Sequence, residues 1–360
     1  MIRRFFTGAV VALASTLLSP WAMAQEEPVE SGSMEPKITI HGYLNQAYAQ
    51  SDGGEILGIS EDGTSDYRTA ALQIRADVTE RDTFAIQLSH ERFGESDIQE
   101  LQDDVAIDWI FYEHRFGQSS VKVGKVQIPF GIYNEVRDVG TLLPFYRPST
   151  NFYGEGAYTS ETVDGIVLSH VFDLGGSWRL DGDVHYGSWD FINRSGGFSR
   201  NKVEDSIGVE LWLETPLPGW RIGTGGMRYT VDDATSTTWE TYHVSLEGEV
   251  GPVRTAIEYK LIDFAEGTYD GGYAYLGFQA SEKLTINSQY DFSNLDIDFF
   301  REGDFDDDVA LGASYAFRPD YVVKLEHHWN KGYTPEHPEQ NFFAPKVETK
   351  SWIASLSASF

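Results

Sequence analysis

The chain has 360 residues, with 56 acidic against 27 basic side chains for a net charge of −29, and it contains no cysteine. Such an acid excess repels nucleic-acid phosphate rather than recruiting it, so no nucleic-acid partner is expected. The missing cysteine removes a disulfide framework and a lipid anchor on a cleavage-site thiol.

Arg3 and Arg4, the apolar run Gly8–Leu18 and Ala22-Met23-Ala24 have the layout of a secretory signal, so residues 1–24 are expected to be removed near Ala24. Their loss takes away two arginines and no acid, shifting the charge from −29 to −31. No later segment supplies the roughly 18 consecutive apolar residues of a membrane helix. Residues 25–37 form an acidic, proline-containing tail, expected to be periplasmic, and period-two alternation runs from 38 to 360.

Phe84–Glu91, Trp178–Tyr186, Leu284–Phe292 and Tyr321–Trp329 each place apolar residues on one face and polar ones on the other. The last segment does so most strictly: Trp352, Ala354, Leu356, Ala358 and Phe360 alternate with Ile353, Ser355, Ser357 and Ser359. A soluble sandwich also alternates, but the connections fall into two classes. Short turns at 79–83, 117–120, 175–176, 216–219, 251–252, 281–283 and 319–320 are separated by mostly longer connections near 50–66, 93–104, 130–160, 190–203, 232–237, 265–270, 293–308 and 330–349. Seven turns and eight loops join sixteen strands, which predicts an all-β, transmembrane, antiparallel up-and-down barrel with short periplasmic turns and longer extracellular loops. Aromatics near strand ends, Trp178, Trp220 and Tyr321 on one side and Tyr48, Phe292 and Trp329 on the other, fit two interfacial girdles.

If the apolar faces meet lipid, the opposite faces line the interior. Candidates for that lining are Arg75, Asp77, Glu91, Arg179, Asp181, Asp183, Arg254, Glu258, Lys260, Lys324 and Glu326. Unpaired charges in a dry interior cost several kcal/mol each, so this lining predicts a water-filled lumen, and a sixteen-stranded barrel is wide enough for one. The longest connection, 130–160, carries Glu135, Arg137, Asp138 and Arg147 together with Tyr133, Phe145, Tyr146, Phe152, Tyr153 and Tyr158. Folded inward, it would pack its aromatics on the wall and set a constriction with its charges.

Val123-Gly124-Lys125-Val126-Gln127-Ile128-Pro129-Phe130-Gly131, a strand ending in Pro-Phe-Gly before that connection, resembles the corresponding segment of phosphate-selective-type porins. The sixteen-strand pattern and terminal Phe360 are similar to trimeric Gram-negative outer-membrane porins. The resemblance implies a homotrimer with an inward third loop. It does not imply phosphate as solute, because that subgroup's dense Arg and Lys lining is replaced here by mixed acids and bases.

Connections 50–66, 93–104 and 293–308 hold 5, 5 and 7 acids against one base, Arg301. Such vestibules concentrate cations; a salt-adapted surface and divalent bridging to lipopolysaccharide are the competing readings. The run 295–308 lacks EF-hand spacing, so weak calcium binding is the lesser expectation there and no cofactor is assigned. His327 and His328 point to opposite faces and cannot chelate one ion, so no metal site is expected. His90, His170, His185 and His243 have acids and serines nearby, but no G-x-S-x-G elbow is present, and a barrel enzyme or adhesin ranks below a passive channel for small hydrophilic solutes and ions with mild cation preference.

Overall fold

The computed structural model describes residues 35–96, 105–154, 161–193, 199–232, 236–265, 267–297, 300–332 and 346–360. The expected signal, most of the N-terminal tail, and much of the connections near 93–104 and 330–349 lie outside them. Sixteen strands follow in order. They are β1 (Lys37–Asp52), β2 (Thr64–Asp77), β3 (Asp82–Phe93), β4 (Ala106–Phe116), β5 (Ser119–Gln127), β6 (Thr162–Gly175), β7 (Trp178–Asn193) and β8 (Ser199–Glu214). Then come β9 (Arg221–Asp232), β10 (Thr237–Val250), β11 (Val253–Phe264), β12 (Gly267–Gln279), β13 (Leu284–Ile297), β14 (Phe300–Arg318), β15 (Tyr321–Gly332) and β16 (Val347–Ser359). Each is antiparallel to the next, and β1 pairs with β16 from Tyr43↔Ser359 to Asp52↔Lys350, closing the barrel.

Alternation decides which way each side chain points. On β16, Trp352 and Leu356 are exposed outward while Ile353, Ser355 and Ser357 are buried inward. Leu44, Leu276, Leu325 and Tyr290 continue the outward apolar band, and Tyr48, Trp178, Tyr321 and Trp329 stand exposed towards strand ends. Gly117 and Gly251 take positive φ (60° and 59°) in the tight turns after β4 and β10, a conformation that Cβ-bearing residues rarely adopt.

Two expected loops are strand instead. The connection 265–270 shrinks to a minimal hairpin, since β11 reaches Phe264 and β12 begins at Gly267. The acidic stretch 293–308 is largely a paired ribbon, with Leu295↔Glu302, Ser293↔Asp306 and Asp291↔Asp308 across β13 and β14. Charge density hid its alternation: Leu295 and Phe305 are both buried between the carboxylates. Strand ends also extend into 190–203, where β7 reaches Asn193 and β8 starts at Ser199.

An outward arginine near the bilayer midplane costs about 2–4 kcal/mol in such a barrel. Leu356→Arg is therefore expected to lower stability by about that amount in chemical unfolding from lipid vesicles. Unchanged stability would place the outward face in water.

Candidate functional site: an inward loop and its tethers

Between β5 and β6, residues 128–154 leave the wall and cross the interior; we call the connection L3. Pro129 has no N–H for the ladder, which ends β5 at Gln127. The amide of Asn134 donates to the Ile128 carbonyl at 2.8 Å, and a short 3-10 turn (Asn134–Val136) starts the excursion. Gly131 lies at φ 65°, where a Cβ would stand 2.7 Å from Glu258 Oε1 and 2.8 Å from the Phe152 ring. Only glycine fits there.

Further along, Gly140 abuts β1 and β16, where a Cβ would stand 2.5 Å from Ser357 Oγ and 2.7 Å from Asn45 Cγ. The Pro144 carbonyl accepts from Asn287 Nδ2 (3.1 Å) and Ser314 Oγ (3.2 Å). Lys324 Nζ donates to the Phe145 carbonyl at 2.6 Å, and the Tyr146 N–H donates to Glu326 Oε1 at 2.7 Å. Ser149 caps one helical turn, α1 (Thr150–Tyr153), by accepting from the Phe152 N–H. Asn151 Nδ2 then donates to Asp306 Oδ2 at 3.0 Å, and Tyr269 OH donates to the Asn151 carbonyl at 2.9 Å.

Beneath this path Glu258 of β11 gathers donors. It accepts from the Ile132 N–H (3.0 Å), Tyr273 OH (2.7 Å), Tyr153 OH and Ser245 Oγ. A carboxylate with that many charge-assisted bonds tolerates burial. Next to it, His243 Nε2 lies 2.6 Å from Glu210 Oε2, under the rings of Phe130 and Phe152. Phe130, Phe145, Phe152 and Tyr153 complete the loop's apolar anchor with Val163, Trp189 and Tyr229.

The sequence candidates fall into distinct groups. Glu258, Lys260, Lys324 and Glu326 face inward but are buried under L3, at most 2% exposed; the ammonium of Lys260 lies over Tyr269 and Phe152. Near the turns, Arg75 pairs with Asp77 (2.9 Å) and Arg179 with Asp181 (2.8 Å). Arg254 lies 3.5 Å from Glu249, and Arg115 and Arg221 pair similarly with Glu113 and Glu247. These ion pairs stay partly in solvent. Asp183 accepts from Ser169 Oγ at 2.5 Å.

On L3 itself Glu135 is exposed, whereas Arg137 is held by Glu161 (2.7 Å) and the Gly154 carbonyl (2.7 Å). Arg147 stacks on Tyr67 and Phe93, 5.1 and 5.9 Å from the ring centres. Asp138 sits among the carboxylates of Glu161, Glu91 and Asp108 with the Arg137 guanidinium opposing them. Burial first, and those neighbours second, raise its carboxyl well above the ordinary range. Glu210, Asp291 and Asn151 were not singled out in the sequence, although the inward phase of their strands contains the first two; Asp306 stood out only as part of the acidic run 295–308.

No family model and no curated protein sequence matches the chain. Among solved structures it is similar to OmpF of Salmonella typhi, solved with daunomycin, at 12% identity and TM-score 0.63 over 90% of this chain and 97% of that one. OmpT, an outer membrane protein of Vibrio cholerae, gives 13% identity and TM-score 0.58 over 90% and 98%, and is also solved in a trimer form. The outer membrane channel DcaP of Acinetobacter baumannii gives 10% and 0.57 over 90% and 97%. At these identities what is shared is the fold: the closed sixteen-stranded antiparallel barrel of outer-membrane porin structures.

Removing one partner of a buried charge group typically costs about 3–5 kcal/mol. Glu326→Ala frees the Tyr146 N–H and leaves Lys324 without its neighbouring carboxylate, so a loss of about that size is expected in thermal unfolding, with new protease cleavage near Tyr146.

Proposed function

We propose that the protein is an outer-membrane porin of a Gram-negative bacterium, a non-enzymatic channel through which small hydrophilic solutes and ions diffuse passively with mild preference for cations. The observation that carries this reading is a closed barrel whose interior face is polar and crossed by one tethered loop, L3. Solutes pass the gap between L3 and the wall, where fixed charges rather than a closed pocket do the filtering. Acids outnumber bases there: Glu91, Asp108, Asp138 and Glu161 are opposed by Arg137 and, at Asp108, by Lys125. At the mouths, pairs such as Arg75–Asp77 and Arg179–Asp181 largely cancel.

The reading includes signal removal near Ala24, a homotrimer, and outer-leaflet lipid and lipopolysaccharide as surroundings. The trimer form of a structural neighbour and the outward apolar band support the last two. A substrate-specific channel, for an anion such as phosphate or for a small organic solute, is the second reading; the acids around Asp138 weigh against an anion. Weak calcium binding at the acidic outer ribbon belongs to the same set of expectations.

Purified protein in planar bilayers is expected to give stepwise conductance and a reversal potential of cationic sign under a KCl gradient. Absence of steps overturns the channel, and an anionic sign overturns the preference. Because the Asp138 carboxyl titrates above ordinary carboxylates, its negative charge arrives late as pH rises. Cation preference should therefore keep growing after exposed acids have ionised, and Asp138→Asn should flatten that late rise. By the same linkage, a carboxyl raised in the folded state disfavours that state once ionised, so the Asp138 contribution to holding L3 is greatest at acidic pH and fades as its carboxyl ionises. Superimposable profiles of the wild type and Asp138→Asn would remove Asp138 from the filter.

A further inference from the structure

A recess of about 250 Å³ lies between the root of L3 and the inner wall of β5–β7. The wall contributes Lys122, Asp181 and Asp183, and L3 contributes Glu135. Asp181 is engaged by Arg179 at 2.8 Å. Among the described residues Asp183 accepts from a neutral hydroxyl, that of Ser169, and the Lys122 ammonium acts on it without a direct ion pair. Lys122 and Glu135 make no ion pair with a described residue, and the Lys122 ammonium rests 5.4 Å from the centre of the Phe111 ring. One cavity thus presents an ammonium and two carboxylates, Glu135 and Asp183, that act on one another through space without closing an ion pair, over an apolar floor of Val167 and Val171.

Charge selects the ligand. A simple anion drawn to Lys122 meets Glu135 and Asp183, and a simple cation drawn to those acids meets Lys122. A solute carrying both an ammonium and a carboxylate satisfies both ends, and half-buried charges gain most from a partner in such a place. We propose that this recess is a binding station for small zwitterionic solutes of the α-amino-acid class. The inference rests on the channel reading and names one solute class for it.

The test uses the full barrel in planar bilayers and in liposomes, with L-glutamine, putrescine, succinate and xylitol as probes. L-Glutamine is expected to reduce the potassium current saturably, at a half-blocking concentration at least about tenfold below those of putrescine and succinate, one charged hydrogen bond being worth that factor. Lys122→Met and Glu135→Gln should each raise the L-glutamine value by about tenfold or more, again one charged bond. Unheated gel mobility of each variant reports the folded barrel independently. Stronger block by putrescine or by succinate overturns the zwitterion assignment in favour of a cation or anion station. Xylitol-driven swelling and stepwise current without block by L-glutamine overturn the station and leave the channel standing. Neither swelling nor current overturns both.

Discussion

In lipid, every backbone N–H and C=O must find its partner within the protein, and this single demand organises the molecule. Open sheet edges cannot meet it, so the ladder has to return to its first strand. It does so by pairing β1 with β16, and the main chain of Phe360 exchanges hydrogen bonds with Gly42 (3.0 and 3.1 Å) at the seam. Closure in turn fixes an inside and an outside for every residue, because side chains alternate strictly along each strand. The outward set meets hydrocarbon and becomes apolar. What remains is an enclosed polar surface whose charges need water or partners.

L3 supplies many of those partners. A connection of this length, with two helical turns among its described residues, pays for the ordering of its backbone, of the order of 1–2 kcal/mol per residue fixed. Two kinds of interaction offset that cost. Phe130, Phe145, Phe152 and Tyr153 leave water altogether, worth roughly 1.5–3 kcal/mol for a large side chain. Glu258, Glu326 and Lys324 bind main-chain groups of the loop, and hydrogen bonds to charged groups contribute about 1.5–3 kcal/mol each. The tethers come from β11, β15 and, through Asp306, β14, all remote in sequence from β5. The loop is therefore defined by the far wall more than by its own residues.

That dependence explains what could be read from the sequence. Period two, turn glycines and the alternation of short and long connections made sixteen strands legible, because each is a local property of a strand or a turn. The bounds of 293–308 were not legible: Asp306, Asp307 and Asp308 look like a solvated loop until the ladder partner Asp291–Ser293 is known. Inward facing was readable for Glu258 and Lys324, but burial under L3 was not, since it depends on a contact with Ile132 or Phe145 more than a hundred residues away. The same holds for Glu210 and His243, whose pairing joins strands whose own sequences give no hint of it.

Charges that alternation assigns to one inward face thus separate into two physical populations. Those at mid-height are removed from water and committed to holding L3, so their fields are largely spent on main-chain dipoles and on each other. Those near the turns, Arg75 with Asp77 and Arg179 with Asp181, remain in solvent, where screening acts within about a Debye length. In the proposed channel neither population dominates the field felt by a passing solute. That leaves the groups at the margin of L3: Asp138 among Glu91, Asp108 and Glu161, and Glu135 facing Lys122 and Asp183 across the recess. Asp138 is largely shielded from bulk water, Glu135 stays exposed, and Glu161 is engaged by Arg137 at 2.7 Å. In the proposed channel, selectivity rests on a few residues where the inward loop meets the wall, and the interior charge at mid-height serves to keep that meeting point in place.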